Sequence, residues 1–395
     1  MYLENITGAS FKDWRENKNV AISVSKKIEQ VLWERSFWEP FFGQGQNRLL
    51  MSFLTGKAEP KRLRLKMPLI NQGARGNADF ETARDHLEIF GQSMFPEIYK
   101  LSMRSDDLLF EDIKDIDFIA EASESLTAWL IQTRDRCIHA AAANNPTNIV
   151  VCDKANGVKD VSKDKDVVTA VKKVSKGDVM SVKALRTAIL MAKRGKAYNG
   201  TDILPIRPAM ANKIVENKHN IWHESYYIFL DSYATEQLKA DKEWQEMQKH
   251  GAARGEANRL FTGLLGVIDG SFVFEMPVWS LAQAGMVNST ISRAEVSPYL
   301  KGFNSGEITD PQSFKGTGTE TCQSLLFGAN ALAVMGAEHT ALTINDKADI
   351  GTKIEVGIRK LMAVSKIRYG EMENEKFAKM QGFDIGAISI FSSLE

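Results

Sequence analysis

Cysteine is nearly absent: Cys137, Cys152 and Cys322 are the only three thiols in 395 residues. An odd number, widely spaced and set in apolar or helical surroundings, excludes a disulfide scaffold and offers no zinc spacing. It suits buried thiols in a reducing compartment. Net charge is missing too, because 50 Lys and Arg balance 50 Asp and Glu. No overall field then draws the chain to nucleic acid or to an acidic membrane, so any DNA contact is expected to be local, weak and non-specific. Nowhere do roughly eighteen apolar residues follow one another, and the N-terminus has no basic segment leading into an apolar run. No membrane partner is expected, and the chain reads as a soluble product of a cytosol. Its length allows two or more lobes.

Glycine is absent between Gly91 and Gly157, and proline between Pro96 and Pro146. Inside that gap Ile113, Ile116, Ile119, Leu126, Leu130, Cys137 and Ala141 recur at helical spacing. Ser105, Asp106 and Asp107 supply N-cap candidates, Arg134, Arg136 and His139 suit the C-terminal end of the dipole, and Asn144-Asn145-Pro146 stops the run. From about Asp112 to Asn144 the pattern predicts a rod of roughly 50 Å. Such a rod is either a spine for other pieces or half of a coiled coil.

Residues 1–20 show no sustained period, and Lys26–Trp38 is a short amphipathic pattern running into the aromatic breaker Trp38-Glu39-Pro40-Phe41-Phe42-Gly43. From Lys61 to Leu69, apolar Leu63, Leu65 and Met67 alternate with Arg62, Arg64 and Lys66, the pattern of a strand with one apolar and one basic face. A Gly- and Asn-rich tip follows, and a return run over His86–Tyr99 completes a long hairpin. A two-stranded ribbon has little hydrophobic backing, so this one is expected to need a second subunit to cover it. Further on, a strand is predicted at Asn148–Cys152, a Lys- and Asp-rich surface insertion at 153–178, and a helix at Ser181–Arg194 stopped by Gly195. A strand is expected at Trp222–Leu230, then a helix capped by Asp231 or Ser232 that carries Leu238, Trp244 and Met247. Residues 251–278 read as a Gly-rich segment ending in a turn into a strand, and 285–318 as loop. Cys322–Val334 reads as an Ala-rich helix, followed by strands at Lys353–Val364 and Phe383–Phe391.

Catalytic and cofactor motifs are scarce. His219 and His223 have the i, i+4 spacing of a helical metal pair beside Glu224, which keeps open a metal-dependent enzyme. The position directly after the first histidine is Asn220, where the zincin pattern places its glutamate, and the segment reads as extended. Lys315–Glu320 and Gly263–Gly266 contain glycine without the Gly-Lys-Ser/Thr of a phosphate loop, and are expected to be turns. The acidic cluster Glu111, Asp112, Asp115 and Asp117 reads as a solvated helix start. No Ser/His/Asp or Cys/His set has recognisable spacing, so no catalytic, cofactor or metal residue is assigned.

Several strings in order resemble a known family. They are Trp38-Glu-Pro-Phe-Phe-Gly43 with Gly45 and Asn47, the basic strand Arg62–Met67 with its Gly-rich tip, and the long helix through Ala128-Trp129. They continue with Trp244, Ala252, Arg254-Gly255, Phe261-Thr-Gly263 and Gly266, then Leu325-Leu-Phe-Gly-Ala329 with Ala331-Leu332. Together they resemble the major capsid proteins of tailed bacteriophages with the Hong Kong 97-type fold. The resemblance implies an α+β fold with an N-terminal arm (1–45) and an extended loop (46–103). It implies a peripheral domain with a spine helix (104–178 and 345–395) and an axial domain (179–344). It also implies a structural protein, not an enzyme, that assembles as hexamers and pentamers into an icosahedral shell in the host bacterial cytoplasm and resides in the virion. A portal protein, and scaffolding and decoration proteins, are the further partners it suggests. Arg62, Arg64 and Lys66 are expected to meet acidic residues of a neighbouring copy, such as the 111–117 cluster.

Overall fold

The computed structural model describes residues 36–43, 50–55, 61–69, 75, 81, 84, 87, 89–105, 118–143, 145–164, 166–216, 219–252, 264–276, 316–319, 321–337, 340–348, 353–372 and 374–394. The expectations for residues 1–35, the ribbon tip, the acidic cluster and most of 285–318 lie outside them.

Two sheets and one long helix organise these residues. The first sheet contains β1 (Phe42–Gly43), β2 (Leu50–Thr55), β5 (Glu97–Arg104), β14 (Leu332–Ala337), β15 (Ala341–Ala348) and β16 (Lys353–Lys366). β14 and β15 run in succession antiparallel to β16, from Leu332 opposite Lys366 to Ala348 opposite Lys353, so the three make one long hairpin. β5 flanks the other side of β16, and β2 lies parallel to β14.

The rod is α1 (Phe118–Ala143), 26 residues and so about 39 Å long. Its first half rests on the hairpin, with Ala122, Leu126 and Leu130 against Val356 and Ile358. Strand β16 explains the fit: Val356 and Ile358 alternate with more exposed neighbours where one face is covered, whereas Met362–Lys366 is buried throughout. The second half of α1 sinks into the main core, where Cys137, Ile138 and Ala140–Ala142 meet Phe229, Leu325, Phe327, Leu332 and Val364. Small side chains there let the helix approach closely. The helix ends at Ala143, and Asn145 turns the chain at φ 44 before Pro146. His139 adds no charge to the dipole, since it is buried and burial holds its pKa near 4. All three cysteines are buried and in no disulfide, as expected.

The second sheet has the order β11-β12-β10-β13-β17-β6-β7. Its strands are β6 (Ile149–Asp153), β7 (Gly157–Val158), β10 (Tyr227–Leu230), β11 (Leu264–Ile268), β12 (Ser271–Glu275), β13 (Thr321–Phe327) and β17 (Ala387–Ser393). The expected domain division cuts through this sheet. β6, β7 and β17, placed with the spine, pair in the sheet that contains β10 and β13.

Three other expectations are overturned. The Ala-rich helix at 322–334 is two strands, β13 and the start of β14. All seven residues of β13 are buried, and a strand covered on both faces shows no alternation to distinguish it from a buried helix. The surface insertion at 153–178 is integral. β7, α2 (Val167–Val171) and the turns beside them bury Val161, Ala170, Val171 and Val174 against Ile149, Val151 and Phe391, and Asp178 is buried too, accepting from Lys154 N at 2.9 Å and Ser175 N at 2.7 Å. Gly266 lies within β11 at a bulge, not in a turn, and a Cβ there would come within 2.7 Å of Trp244.

Local signals read from sequence hold elsewhere. α3 (Val182–Arg194) has Ser181 as N-cap, its Oγ accepting from Ala184 N at 3.3 Å, and Gly195 at φ 64 as its stop. Asp231 caps α4 (Ser232–Ala240) by accepting from Ala234 N at 2.6 Å, and Asp241 separates it from α5 (Lys242–Ala252). α6 (Glu375–Ala378) is a short turn of helix near the C-terminus. A Cβ at residue 195 would meet the Ile203 carbonyl oxygen at 2.4 Å. Gly195→Ala is therefore expected to lower stability by at least the about 1–2 kcal/mol of a left-handed L-residue, read as a lower urea midpoint.

Candidate functional site: ribbon, arm root and ion triad

The ribbon pairs β3 (Lys61–Lys66) with β4 (Ile89–Met94), Arg62 opposite Ser93 and Lys66 opposite Ile89. Its apolar face is backed by the chain's own body, contrary to the expectation that another subunit must cover it. Leu63 and Met94 pack on Ala333, Met335, Ala363 and Ile367, and Met67 and Phe90 on Ala197 and Tyr369. Gln92 fixes the base, donating to Ser365 Oγ at 2.7 Å and the Lys366 carbonyl at 2.8 Å and accepting from Arg368 N at 3.2 Å. Within the expected 46–103 loop, β2 and β5 belong to the first sheet, and β3 and β4 pair with each other in a separate two-stranded sheet. With the inner face buried, Arg62, Arg64 and Lys66 stay exposed on the outer face, opposite no carboxylate on β4.

At the arm root, Trp38 is fully buried among Phe37, Phe41, Phe229 and Phe327, with ring centroids 5.0–6.3 Å from it. Asp135 on α1, 3% exposed, holds the segment in place. Its carboxylate accepts from Ser36 Oγ at 2.5 Å and from Phe37 N at 2.8 Å, and its carbonyl from Trp38 Nε1 at 3.2 Å. Glu39 pairs with Arg134 at 3.3 Å. Sequence reasoning passed over Asp135, yet a signal was present: it lies four residues after Ile131 and three before Ile138, a charge inside the buried stripe of α1.

A third cluster ties the sheets together. Asp384 accepts from Lys366 Nζ at 3.3 Å, Arg368 Nε at 2.9 Å and Thr147 N at 3.2 Å, and Arg368 Nη2 donates to the Asn145 carbonyl at 2.6 Å. Lys366 and Asp384 are 0% and 1% exposed. Burial draws the Lys366 pKa down to about 8 in spite of the carboxylate.

β8 (Met210–Glu216) pairs antiparallel with β9 (His219–Ser225), which carries both histidines of the metal alternative. Four residues along a strand put their Cα atoms roughly 13 Å apart, against roughly 6 Å on a helix. The i, i+4 pairing that motivated a metal site is thus not formed. No group of three or more metal-binding side chains occurs among the described residues. Of the Lys315–Glu320 segment the described residues 316–319 form a bend, with Thr317 N donating to the Val174 carbonyl at 2.8 Å.

A long helix on a long hairpin, a ribbon with an exposed basic face and an aromatic segment anchored at residues 36–41 together suit a subunit that engages its neighbours. Comparisons with known proteins agree. A family model described as phage capsid protein matches residues 107–394. The major structural protein of Helicobacter pylori bacteriophage KHP30 is 33% identical over 383 residues, 93% of each chain. The head structure of Helicobacter pylori bacteriophage KHP40 superposes with a TM-score of 0.74 at 31% identity, covering 91% of this chain and 92% of that one. The acid-stable capsid of bacteriophage KHP30 gives 0.75 at 30% identity, with the same coverage. The capsid of cyanophage Pam1, at 14% identity and a TM-score of 0.65 over 91% of this chain and 92% of that one, shares the fold. The chain belongs to the phage capsid protein family.

Proposed function

We infer that this chain is the repeating subunit of a phage head shell, closing rings of five and six copies into an icosahedral container for packaged double-stranded DNA. The observation that carries the reading is the likeness, over nine-tenths of both chains, to subunits of phage heads. Physically, one sequence closes a shell when heterologous contacts repeat around rings. In this assignment α1 with the β14–β16 hairpin and β5 forms the peripheral part, and the second sheet with α3–α5 the axial part. The β3–β4 ribbon reaches across a neighbour, and residues 1–45 form the arm, rooted at the Trp38 segment. Exposed Ile98, Leu101 and Met103 on β5 add apolar surface for such contacts. A portal protein at one vertex, and scaffolding and decoration proteins, complete the expected set of partners.

The basic ribbon face is assigned to acidic residues of an adjacent copy. A single exposed ion pair contributes only about 0.2–1 kcal/mol, but a shell repeats it at every equivalent contact. Arg64→Glu is expected to lower shell yield several-fold, measured by sedimentation and negative-stain microscopy, while leaving the subunit's melting unchanged. A wild-type yield from the variant rejects the pairing. A wild-type chain that never forms megadalton particles, alone or with its phage partners, rejects the shell reading itself.

A further inference from the structure

The arm root carries two carboxylates and one guanidinium. Asp135 is almost wholly enclosed, and its carboxylate is met by two neutral donors, Ser36 Oγ and Phe37 N. Glu39 opens the 3-10 turn Glu39–Phe41, its side chain 21% exposed, against Arg134 at 12%. Among the described residues packed here, Arg134 on α1 is the cation that acts on both acids. On β5, Glu97 and Tyr99 act on Cys137, not on the two acids. Behind Trp38, the second sheet presents the neutral rings of Tyr227, Phe229, Phe274 and Phe327.

We propose that Glu39 and Asp135 form a proton-operated latch on the N-terminal arm, closed when both are protonated and loosened when both are ionised. The contacts suit both states of Asp135. The Ser36 hydroxyl donates to the carboxylate, and it equally accepts from the protonated acid, while Phe37 N donates to the remaining oxygen in either case. Mutual repulsion of the two acids adds to the cost of ionising them together.

The direction of the pH effect follows from burial. It pushes Glu39 up to about 7 from an ordinary value of 4.5, against the pull of Arg134, and raises Asp135 as well. Both acids hold their protons more tightly when the arm root is seated. The seated form therefore gains stability as pH falls from about 7, has the whole gain below 4.5, and loses it as pH rises through about 7. The segment 36–43 is held firmly in acid and released more readily at neutral to alkaline pH. This is a property of the single chain and stands whether or not the shell reading does.

Hydrogen exchange of the full chain at pH 5 and pH 8, corrected for intrinsic rates, reads the latch. Wild-type residues 36–43 are expected to be about tenfold more protected at the lower pH, the factor of a single pKa unit. Residues 182–194, on a remote helix, serve as the internal reference. Glu39→Gln with Asp135→Asn imitates the protonated pair and is expected to keep the high protection at both pH values. Glu39→Gln alone, at a partly exposed position, repeats the test at one site and is expected to shrink the difference. Equal wild-type protection at the two pH values, or an undiminished pH dependence in the variants, overturns the proposal.

Discussion

Asp384→Asn is expected to lower the unfolding free energy by about 3–5 kcal/mol, the cost of breaking a buried ion pair from one side. Lys366 and Arg368 reach the same carboxylate inside the fold, at 3.3 and 2.9 Å, and an amide cannot neutralise either. The loss is expected to spread beyond the pair. Asp384 also holds Thr147, just after α1, and Arg368 reaches both Asn145 and Gln92, the residue that pins the ribbon base. Urea denaturation should show the drop, and hydrogen exchange should show Ile89–Met94 opening first. Lys366→Met is the contrasting variant. It keeps the Arg368–Asp384 pair and removes an ammonium that is costly to bury, so its stability should change by no more than about 1 kcal/mol in either direction. Because burial depresses Lys366 to about 8, the wild-type chain loses stability as pH falls through that value. Lys366→Met should lack this component. A mild effect of Asp384→Asn would mean that the triad is not the junction its contacts describe.

Trp38→Ala is expected to cost about 3–5 kcal/mol, the range for truncating a large buried aromatic. Trp38 is 0% exposed, and the four rings around it would border a cavity that the ends of two sheets and a helix cannot collapse to fill. The hydrogen bond to the Asp135 carbonyl is lost as well. Trp38→Phe keeps most of the volume and should recover a large part of the stability. If alanine at 38 left the urea midpoint unchanged, the aromatic plug would not be what seats the arm.

The parts legible in the sequence are those with a local cause. Period gave α1 its face, a serine and a glycine gave α3 its ends, and alternation gave β3 its two sides. What stayed hidden was decided by partners far along the chain. The inner face of β3 is covered by Ala333, Met335, Ala363 and Ile367, which no local pattern connects to Leu63. β13 is buried on both faces, lying between β10 and β17 in a sheet covered on both sides, so its residues carry no period. The division expected at residue 178 crosses one sheet for the same reason, since β6 pairs with β17 from the opposite end of the chain. At the arm root the aromatic string was visible, but its anchor was not. Asp135 looks like surface charge until the helix is seen to be enclosed on that side.

The enclosed thiols have a practical corollary. Cys137, Cys152 and Cys322 are the chain's whole complement, each is buried, and burial raises the Cys137 and Cys152 thiols far above ordinary values. A maleimide reagent offered to the native particle at neutral pH meets protonated, inaccessible sulfur. A single cysteine introduced at a position that stays exposed once the copies have assembled would then be the one site modified, which makes the particle a surface for attaching dyes or antigens at defined spacing.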